Sequence, residues 1–312
     1  MTIAQLKENL VLPVISSPMF LVSGTSLVIE ACKSGIIGTF PSLNGRTAAD
    51  FEEMVKTIIS EISKWEEESG VKAAPFGVNI IVNKTNPRVM EDLAICKKYN
   101  VPLIITSLGA VKEVVDFVHS YGGLVFHDII KKRHAEKAVE AGVDGLIAVC
   151  AGAGGHAGTA SPFAFMTELR SFFSGPIVLA GSISNGRDIL AAQVIDAEFA
   201  YMGTRFIGTV ESLANDSHKE MLLSSTIADI VYTDRISGVN ANFMKKSIEN
   251  AGLDLSTEVE EDFSDLHNDK KSKAWKDVWS AGHGTTSIHT IPTVSQLVEK
   301  LKEEYTAAKR KF

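Results

Sequence analysis

A glycine-rich stretch at residues 152–158 is the part of the chain best suited to chemistry. It reads Gly-Ala-Gly-Gly-His-Ala-Gly and follows an apolar run at 146–150 that is typical of a buried strand. A loop with four glycines lets its backbone approach a flat or phosphorylated ligand closely. Its one large polar side chain, His156, belongs to the residue type that titrates near neutral pH. The pattern indicates a cofactor or substrate site, and the alternative is a flexible connection whose histidine faces solvent.

Two further loops carry residue types that bind phosphate. The first contains Gly181 and Ser182, and the second contains Gly203 and Thr204. Glycine leaves room for a phosphate to reach backbone N–H groups, the two hydroxyl groups add donors, and a helix beginning near Gly186 would add more. At adjacent strand ends such loops form the phosphate pocket of many barrels. The alternative is a pair of ordinary tight turns, which glycine, serine and asparagine also favour.

Other polar residues follow apolar runs, and each has a structural alternative. Asn79 would be costly to bury unpaired, and its amide suits either the edge of a cofactor ring or a neighbouring loop. His127 and Asp128 either bond a cofactor or pair with each other. Cys150 is either a nucleophile or a small buried packing residue, and the second is favoured because no activating partner is identifiable. His283, between two glycines, either lines the site or is an ordinary surface residue.

Eight short apolar runs, alternating with helix-length segments, must position these residues. The runs are apolar throughout, as in parallel sheets with both faces buried. Eight such units predict an α/β fold, a (β/α)8 TIM barrel, in which functional groups lie on loops after the carboxyl ends of the strands. A doubly wound open sheet is the alternative. The predicted strands lie at 12–19, 36–42, 76–82, 103–107, 124–129, 145–150, 176–183 and 199–206.

The alternation breaks after the eighth run. Residues 209–278 are polar and predict a mostly helical insertion or lid after the eighth strand, with an acidic run at 258–262 and a basic patch at 270–273. Charge runs of this kind are usually solvated faces, so they do not predict a nucleic-acid tail. Residues 1–208 and 279–312 are predicted to form one barrel domain, which a C-terminal helix closes.

The composition excludes several classes of protein. The chain has 312 residues, a formal net charge of −7 and no large cluster of Lys or Arg, which argues against nucleic acid as the main partner. Its three widely spaced cysteines form neither a disulfide framework nor a Cys-x-x-Cys metal site. No signal peptide is recognisable, and no apolar run reaches the roughly 18 residues that span a bilayer. We expect a soluble, cytoplasmic protein with no metal site and no membrane segment.

In combination the motifs resemble the nitronate monooxygenase family, formerly called the 2-nitropropane dioxygenases. They are Gly-Gly-His-Ala-Gly at 154–158, Ala-Gly-Ser-Ile-Ser-Asn-Gly-Arg at 180–187, Tyr-Met-Gly-Thr-Arg-Phe at 201–206 and Phe-Gly-Val-Asn at 76–79. The similarity covers most of the chain. Flavin-dependent enoyl-ACP reductases and NADH:quinone reductases share similar motifs. The resemblance implies a TIM barrel that binds FMN non-covalently.

The resemblance also implies roles for individual residues. Met19 would lie against the isoalloxazine ring and Asn79 would bond it, while Gly155 and His156 would line its reactive side. The phosphate would be held by Gly181, Ser182, Gly203 and Thr204. Several relatives have a lysine where this chain has Asp128, which we keep as a cofactor-binding candidate. Because an ionised acid cannot support negative charge on a reduced ring as lysine can, we expect a different redox potential.

The activity that the resemblance implies is oxidation of alkyl nitronates by FMN and molecular oxygen, giving a carbonyl compound and nitrite. His156 would bind the anionic nitronate through a charge-assisted hydrogen bond, or would take the α-proton of a neutral nitroalkane as a general base. The closest alternative is an NAD(P)H-dependent flavin reductase that acts on a quinone or an enoyl thioester. The alternative from another class is a flavin-binding interaction protein without turnover. The oligomeric state is not readable, and a homodimer is one option.

Overall fold

The computed structural model describes residues 1–109, 111–256 and 276–311. Eight parallel strands form a closed barrel, and the last strand pairs with the first through Val14 with Ala200 and Ser16 with Met202. The predicted α/β class and the TIM barrel are confirmed. The barrel strands are β1 (Val14–Ser16), β2 (Ile37–Pro41), β3 (Phe76–Ile81), β4 (Leu103–Ser107), β5 (Leu124–Ile129), β6 (Gly145–Val149), β8 (Ile177–Ala180) and β9 (Phe199–Met202), and β7 (Gly155–His156) lies outside the barrel.

Helices connect successive barrel strands and form the outer layer. The C-terminal helix takes the eighth position, because it packs beside both the helix after β8 and the helix after β1. The helices before and around the barrel are α1 (Ile3–Lys7), α2 (Thr25–Lys33), α3 (Ala48–Ser69), α4 (Val89–Lys98), α5 (Lys112–His119), α6 (Lys132–Ala141), α7 (Pro162–Arg170), α8 (Gly186–Val194) and α9 (Thr204–Ile207). The later helices are α10 (Asp216–Ser224), α11 (Lys245–Asn250) and α12 (Val294–Lys309).

Apolar side chains fill the barrel, so its interior is a packed core. Each strand alternates between this interior and the helical layer, which explains why the strands are apolar along their whole length. Leu6 of α1 joins the interior cluster and covers the amino-terminal end of the barrel. The interior side chains include Ile15, Ile37, Leu103, Ile105, Phe126, Ile147, Val178 and Phe199. With the lower end closed, a ligand can approach only from the carboxyl ends of the strands.

Strands β8 and β9 end earlier than predicted, as β1 also does, and this places the candidate phosphate residues in loops. The predicted runs at 176–183 and 199–206 are too long, because β8 ends at Ala180 and β9 ends at Met202. Gly181 has a φ of +120°, which breaks the extended conformation. After β9, the chain turns directly into α9. In both places the apolar sequence pattern continues past the end of the strand, because residues of the following loop also contact the core.

The insertion contains the predicted helices α10 and α11, and also a hairpin that the sequence analysis did not predict. β10 (Ile230–Thr233) pairs antiparallel with β11 (Ala241–Met244), which in turn pairs with β7, the short strand that carries His156. The acidic run at 258–262 and the basic patch at 270–273 lie outside the described residues. The insertion is thus hydrogen-bonded to the glycine-rich segment.

Within the described ranges, no helix is both long and apolar enough to cross a bilayer. The same part of the chain has no group of three or more His, Cys, Asp or Glu side chains placed to hold a metal ion. The three cysteines are free and buried.

Candidate active site

A cavity of about 370 Å³ lies at the carboxyl ends of the barrel strands. Its size is within the range of ligand pockets, roughly 300–1,000 Å³. The structure brings together the residues to which the family resemblance gave a role at the cofactor, although they come from six different loops and strand ends. These lining residues are Met19, Asn79, Asp128, Gly155, His156, Gly181, Ser182, Gly203 and Thr204. We refer to this space as the main cavity.

The two glycine loops lie side by side, because β8 and β9 are neighbours in the barrel. At Gly181, a Cβ atom would lie 2.8 Å from the carbonyl oxygen of Ala151, and the φ of +120° would strain any side chain. At Gly203, φ is −107° and a Cβ atom would lie 2.6 Å from the movable Oγ of Ser17 and 3.5 Å from Met19 Sδ. The chain itself therefore requires Gly181, whereas Gly203 tolerates a side chain and leaves space towards the cavity.

Two hydroxyl groups stand beside these glycines. The Oγ1 of Thr204 accepts a hydrogen bond from the Gly282 N–H at 2.8 Å, which leaves its own hydrogen free to donate. Ser182 is exposed and has a φ of +59°, and its Oγ donates to the Ala151 carbonyl at 3.3 Å. A residue other than glycine in this region of φ stores strain, which is often found at ligand sites. Thr204 can donate to an anion in the cavity, and Ser182 can do so once its hydroxyl turns away from the Ala151 carbonyl.

The amino end of α8 does not contribute as the sequence analysis supposed. The Gly186 N–H donates to Glu304 Oε2 at 2.9 Å, and the Asn185 side chain accepts from the N–H groups of Arg187 and Asp188. A Cβ atom on Gly186 would lie 2.1 Å from the Tyr305 nitrogen, so this glycine serves the packing of α8 on α12. A phosphate would rely on the two loops rather than on this helix.

His156 is held on the wall of the main cavity by the insertion. It lies opposite Ala241 in the pairing of β7 with β11. The neighbouring Gly155 N–H donates to Ser280 Oγ at 2.6 Å, and Ser280 Oγ donates to the Asn242 carbonyl at 2.6 Å. The alternative of a flexible, solvent-facing loop is wrong, because its backbone is bonded on both sides.

Some glycines of this loop serve chain packing rather than a ligand. A Cβ atom on Gly154 would lie 2.9 Å from the Gly282 nitrogen. One on Gly152 would lie 2.8 Å from the His283 ring, and the His283 N–H donates to the Gly152 carbonyl at 2.9 Å. The segment around His283 therefore supports the loop from behind, and His283 itself does not line the main cavity. Glycine in both segments allows the two backbones to touch.

Burial changes the chemistry of His156. Loss of solvation lowers the pKa of its imidazole to about 4, so the ring is neutral at pH 7. A neutral imidazole can donate one N–H group and can accept a proton at its other nitrogen. The predicted charge-assisted bond from an imidazolium is therefore not the resting state of this residue.

A chain of polar side chains crosses three adjacent strands at the floor of the main cavity. Asn79 Nδ2 donates to Ser107 Oγ at 2.7 Å and to the Ile105 carbonyl at 3.2 Å. Ser107 Oγ donates in turn to Asp128 Oδ2 at 2.5 Å. The amide N–H donors of Asn79 are thus used within the protein, as the structural alternative supposed, and these two bonds do not involve its amide oxygen. The three side chains orient one another.

Asp128 is the unusual member of this chain. Its Oδ1 is buried and has no hydrogen-bond partner in the described structure. Burial raises the pKa of Asp128 to about 6, and the bond from Ser107 opposes that rise. Burial raises the pKa of Tyr201 well above its ordinary value, and the charge of the Asp128 carboxylate adds to that rise. Asp128 therefore offers an acceptor to a ligand but is only weakly acidic.

Two other candidates do not face the main cavity. His127 is buried, its Nδ1 lies 2.7 Å from Thr106 Oγ1, and burial lowers its pKa to about 4. It does not pair with Asp128. Cys150 is fully buried, and burial raises the pKa of its thiol to about 12, so it carries no thiolate at neutral pH. Both residues have structural roles.

The sequence analysis missed a second histidine in the main cavity. His218 of α10 is 4% exposed and stacks on Trp279 with ring centroids 5.1 Å apart and an interplanar angle of 14°. Its Nε2 is buried and has no hydrogen-bond partner in the described part of the chain. Burial lowers its pKa to about 4. The pair gives the cavity a flat wall, and no local pattern marks it because the insertion reads as a solvated polar segment.

Comparison with known proteins extends this picture. A probable nitronate monooxygenase from Staphylococcus haemolyticus is 26% identical over 314 residues, covering 81% of this chain and 86% of the relative. An octahydro-indene-carboxyl-CoA dehydrogenase from Rhodococcus jostii is 26% identical over 239 residues, covering 77% of this chain but 64% of the relative. The chain thus spans less than two thirds of that dehydrogenase, and it matches 61% of a second one from Mycobacterium tuberculosis.

Among solved structures, a nitroalkane oxidase from Streptomyces ansochromogenes superposes with a TM-score of 0.82 at 22% identity, covering 99% of this chain and 100% of that one. This likeness supports the barrel fold. The profile of the nitronate monooxygenase family matches residues 4–304, which include every strand and loop of the main cavity. The chain therefore belongs to the nitronate monooxygenase family of oxidoreductases.

Proposed function

We propose that the protein is an FMN-dependent nitronate monooxygenase that oxidises alkyl nitronates with O2 to a carbonyl compound and nitrite. The observation that carries this proposal is that one cavity collects both glycine loops and His156. The loops suit a phosphate group, and the neutral imidazole suits a small reacting anion. Family membership and the name of the Staphylococcus haemolyticus relative point to the same chemistry.

The residues of the main cavity fit FMN. The space left by Gly203 is one that a Cβ atom would fill, and Thr204, whose Oγ1 accepts from the Gly282 N–H, would donate its own hydrogen to a phosphate there, with Ser182 as a second hydroxyl group in the cavity. Gly181 would form the neighbouring part of the same phosphate-binding site. When bound, FMN supplies the redox chemistry that takes electrons from the substrate and passes them to oxygen. Asp128, whose Oδ1 lacks a partner, would accept a hydrogen bond from a donor on the occupant.

Met19, which also lines the main cavity, would pack against the cofactor ring. Its loop is fixed by Asn44, whose amide donates to the Met19 carbonyl at 3.3 Å and the Ser23 carbonyl at 2.8 Å. Asn44 also accepts from the Leu21 N–H at 2.8 Å. The Asn79 amide, fixed by its bond to Ser107, would present its oxygen towards the same ring.

His156 would act on the substrate in one of two ways. Towards a nitronate, the neutral ring donates an N–H group to an oxygen of the anion. Towards a neutral nitroalkane, a ring nitrogen accepts the α-proton, which generates the nitronate in the site. With a pKa of about 4, the imidazole is a weak base. We therefore propose that preformed nitronates are the preferred substrates.

The first test is the identity of the flavin. Protein purified under air is expected to be yellow and to release FMN rather than FAD on denaturation, as chromatography of the released flavin shows. The FMN-loaded protein is then mixed anaerobically with an alkyl nitronate or, separately, with NADH. We expect the nitronate to bleach the flavin and NADH not to. After oxygen is admitted, nitrite should accumulate with the returning colour, and an unbleached flavin would contradict the proposal.

A second candidate function is an NAD(P)H-dependent flavin reductase. The stacked pair of His218 and Trp279 favours it, because a flat wall beside His156 suits a planar ring such as a nicotinamide or a quinone. Bleaching by NADH, with a quinone or an enoyl thioester as acceptor, would assign this function. A flavin-binding interaction protein without turnover would bind FMN and respond to neither reductant.

A further inference from the structure

A second cavity, of about 440 Å³, lies between the loop after β8, the amino end of α8 and the helix α12. We call it the basic cavity. It shares no lining residue with the main cavity. The ionisable residues that line it are Arg187, Arg205, His289, Lys300, Glu304 and Lys311. Four cationic side chains thus face one carboxylate in a protein whose formal net charge is −7.

The four cations of the basic cavity have no ion-pair partners within the described ranges. Elsewhere on the surface, lysines pair readily with nearby acids, as Lys302 does with Glu299 at 3.3 Å on the same helix. The one carboxylate in the cavity, Glu304, already accepts from the Gly186 N–H. Like charges held around a concave space repel one another, and this arrangement focuses a positive potential there.

Arg205 distinguishes the basic cavity from a group of surface lysines, because its side chain is buried. It is 6% exposed, its Nη1 donates to the Ser287 carbonyl at 2.7 Å, and its Nε is buried with no partner in the described structure. Burial lowers the pKa of Arg205, and the nearby Glu304 opposes that effect. A buried guanidinium ordinarily meets a carboxylate or a phosphate with its planar fork of donors.

Neutral donors complete the cavity. Ser184 and Ser287 line it with their Oγ atoms 3.1 Å apart, and Ser184 Oγ also lies 3.2 Å from Asp188 Oδ2, to which it donates. The Asn185 carbonyl oxygen Oδ1 already accepts from two N–H groups of α8, which leaves its Nδ2 hydrogens to donate. Among the lining residues, donors therefore outnumber acceptors, which suits a ligand that accepts hydrogen bonds and carries negative charge.

We propose that the basic cavity binds a multivalent oxyanion of the phosphate class, at a site separate from the main cavity. Arg205 forms its floor, and Arg187 and Lys300 supply its rim. The inference does not depend on the proposed oxidation of nitronates. The basic cavity begins at Ser184, two residues after Ser182, so an anion bound there would lie near the proposed phosphate end of the main cavity.

The test is isothermal titration calorimetry at constant ionic strength, with the protein held in excess FMN so that the main cavity is filled. Inorganic phosphate and ADP are titrated separately, and their relative affinities show whether the free anion or a phosphate ester is the better ligand. We expect saturable binding of at least one of them. No saturable heat above that of a chloride control would overturn the proposal.

Variants locate the binding. Arg187→Ala combined with Lys300→Ala should weaken it by about tenfold or more, because each removes a charge-assisted contact. Arg205→Lys, which keeps the charge but loses the fork, should weaken it as well. The control Lys302→Ala, on the same helix but outside the cavity, should bind as the parent does. Unchanged affinity in the double variant would overturn the proposal, and so would a matching loss of FMN, which would assign these cations to the flavin phosphate.

Discussion

The two ends of the main cavity are built from different parts of the chain. One end, which we call the phosphate end after its proposed role, consists of Gly181, Ser182, Gly203 and Thr204, which directly follow two neighbouring barrel strands. The His156 end depends on distant partners, since Gly155 bonds Ser280 and Ala153 bonds Asn242, 125 and 89 positions further along. The candidate phosphate residues lie at the ends of barrel strands, with Thr204 also bonded by the Gly282 N–H, whereas the insertion and the 279–286 segment hold the loop that carries the imidazole. We therefore expect substitutions at the phosphate end to change FMN binding, and substitutions at the His156 end to change the reaction rate.

The two ends also differ in their electrostatics. The phosphate end offers hydroxyl donors beside an exposed serine, which suits a permanently charged group. The His156 end is desolvated, and the pKa of the imidazole is lowered to about 4. A substitution at one end should therefore change one property of the protein and leave the other intact.

The largest effect is expected for His156→Asn. FMN content should stay the same, because the phosphate loops are untouched. The kcat/KM for neutral nitroalkanes should fall by about 10²–10⁴-fold, the usual worth of general acid–base assistance, and that for nitronates should fall much less. Oxygen consumption with both substrate forms at matched pH measures this, and His134→Asn on α6 is the matched control. Equal losses on both forms would assign His156 to anion positioning.

The pH dependence sharpens this prediction. Only the unprotonated imidazole can accept the α-proton, and burial lowers its pKa from 6.5 to about 4. The kcat/KM for a neutral nitroalkane should therefore stay level as pH falls from 7 to 5, and should drop only as pH passes through about 4. A drop centred near 6.5 would show that the free enzyme keeps His156 solvated.

The next largest effect is expected for Ser280→Ala, which removes the bridge between Gly155 and Asn242. The loop that carries His156 should shift, and a displacement of about 1 Å can cost roughly 10²-fold in rate. FMN affinity should not change. Ser224→Ala, at the end of α10 in the same insertion, is the control. An unaltered rate would mean that the β7–β11 pairing alone positions the imidazole.

A smaller effect is expected for Gly203→Ala. The new methyl group would occupy the space beside Ser17 and weaken FMN binding by about tenfold or more, through overpacking of about 1–3 kcal/mol, while the fold remains stable. Fluorescence titration of the apoprotein with FMN measures the affinity. The double variant with Ser17→Ala removes the contact within the protein, so full recovery there would show that Gly203 serves only Ser17. Gly181 is a poorer test, because its conformation strains any side chain.

The smallest effect is expected for Asp128→Asn. Because the folded protein raises the pKa of this carboxyl group from 3.8 to about 6, ionisation destabilises the fold as pH rises through that interval. Asparagine should therefore raise the free energy of unfolding of the apoprotein by about 1–2 kcal/mol at pH 8 and by less at pH 4. Urea unfolding at the two pH values checks this. A destabilising effect at pH 8 would show that the carboxylate has a partner in solution.

The sequence predicted the barrel and the adjacency of the two glycine loops, because both depend on local patterns. An apolar strand followed by glycine and a hydroxyl residue is legible within about ten residues, and the order of strands in a barrel then places the two loops together. The early ends of β8 and β9 were not predicted, since the apolar pattern continues into loops that also touch the core.

The surroundings of His156 could not be predicted, because they arise from contacts between distant segments. A two-residue strand such as β7 has no periodicity, and its pairing with Ala241 becomes visible only in three dimensions. One signal was present: residues 152–158 and 279–286 are both rich in glycine, and two such segments can pack backbone to backbone. Gly154 and Gly282 make such a backbone contact. His218 had no comparable signal.

The most direct test of the separation between binding and chemistry is one paired measurement on Ser280→Ala and Gly203→Ala. For each, the FMN dissociation constant is determined first, and the rate of anaerobic flavin bleaching by a nitronate is then measured at saturating FMN. We predict that Ser280→Ala retains the parent affinity and bleaches slowly, while Gly203→Ala binds FMN weakly and bleaches at nearly the parent rate once loaded. If both constants fall together in both variants, the two ends form a single unit and the separation is wrong.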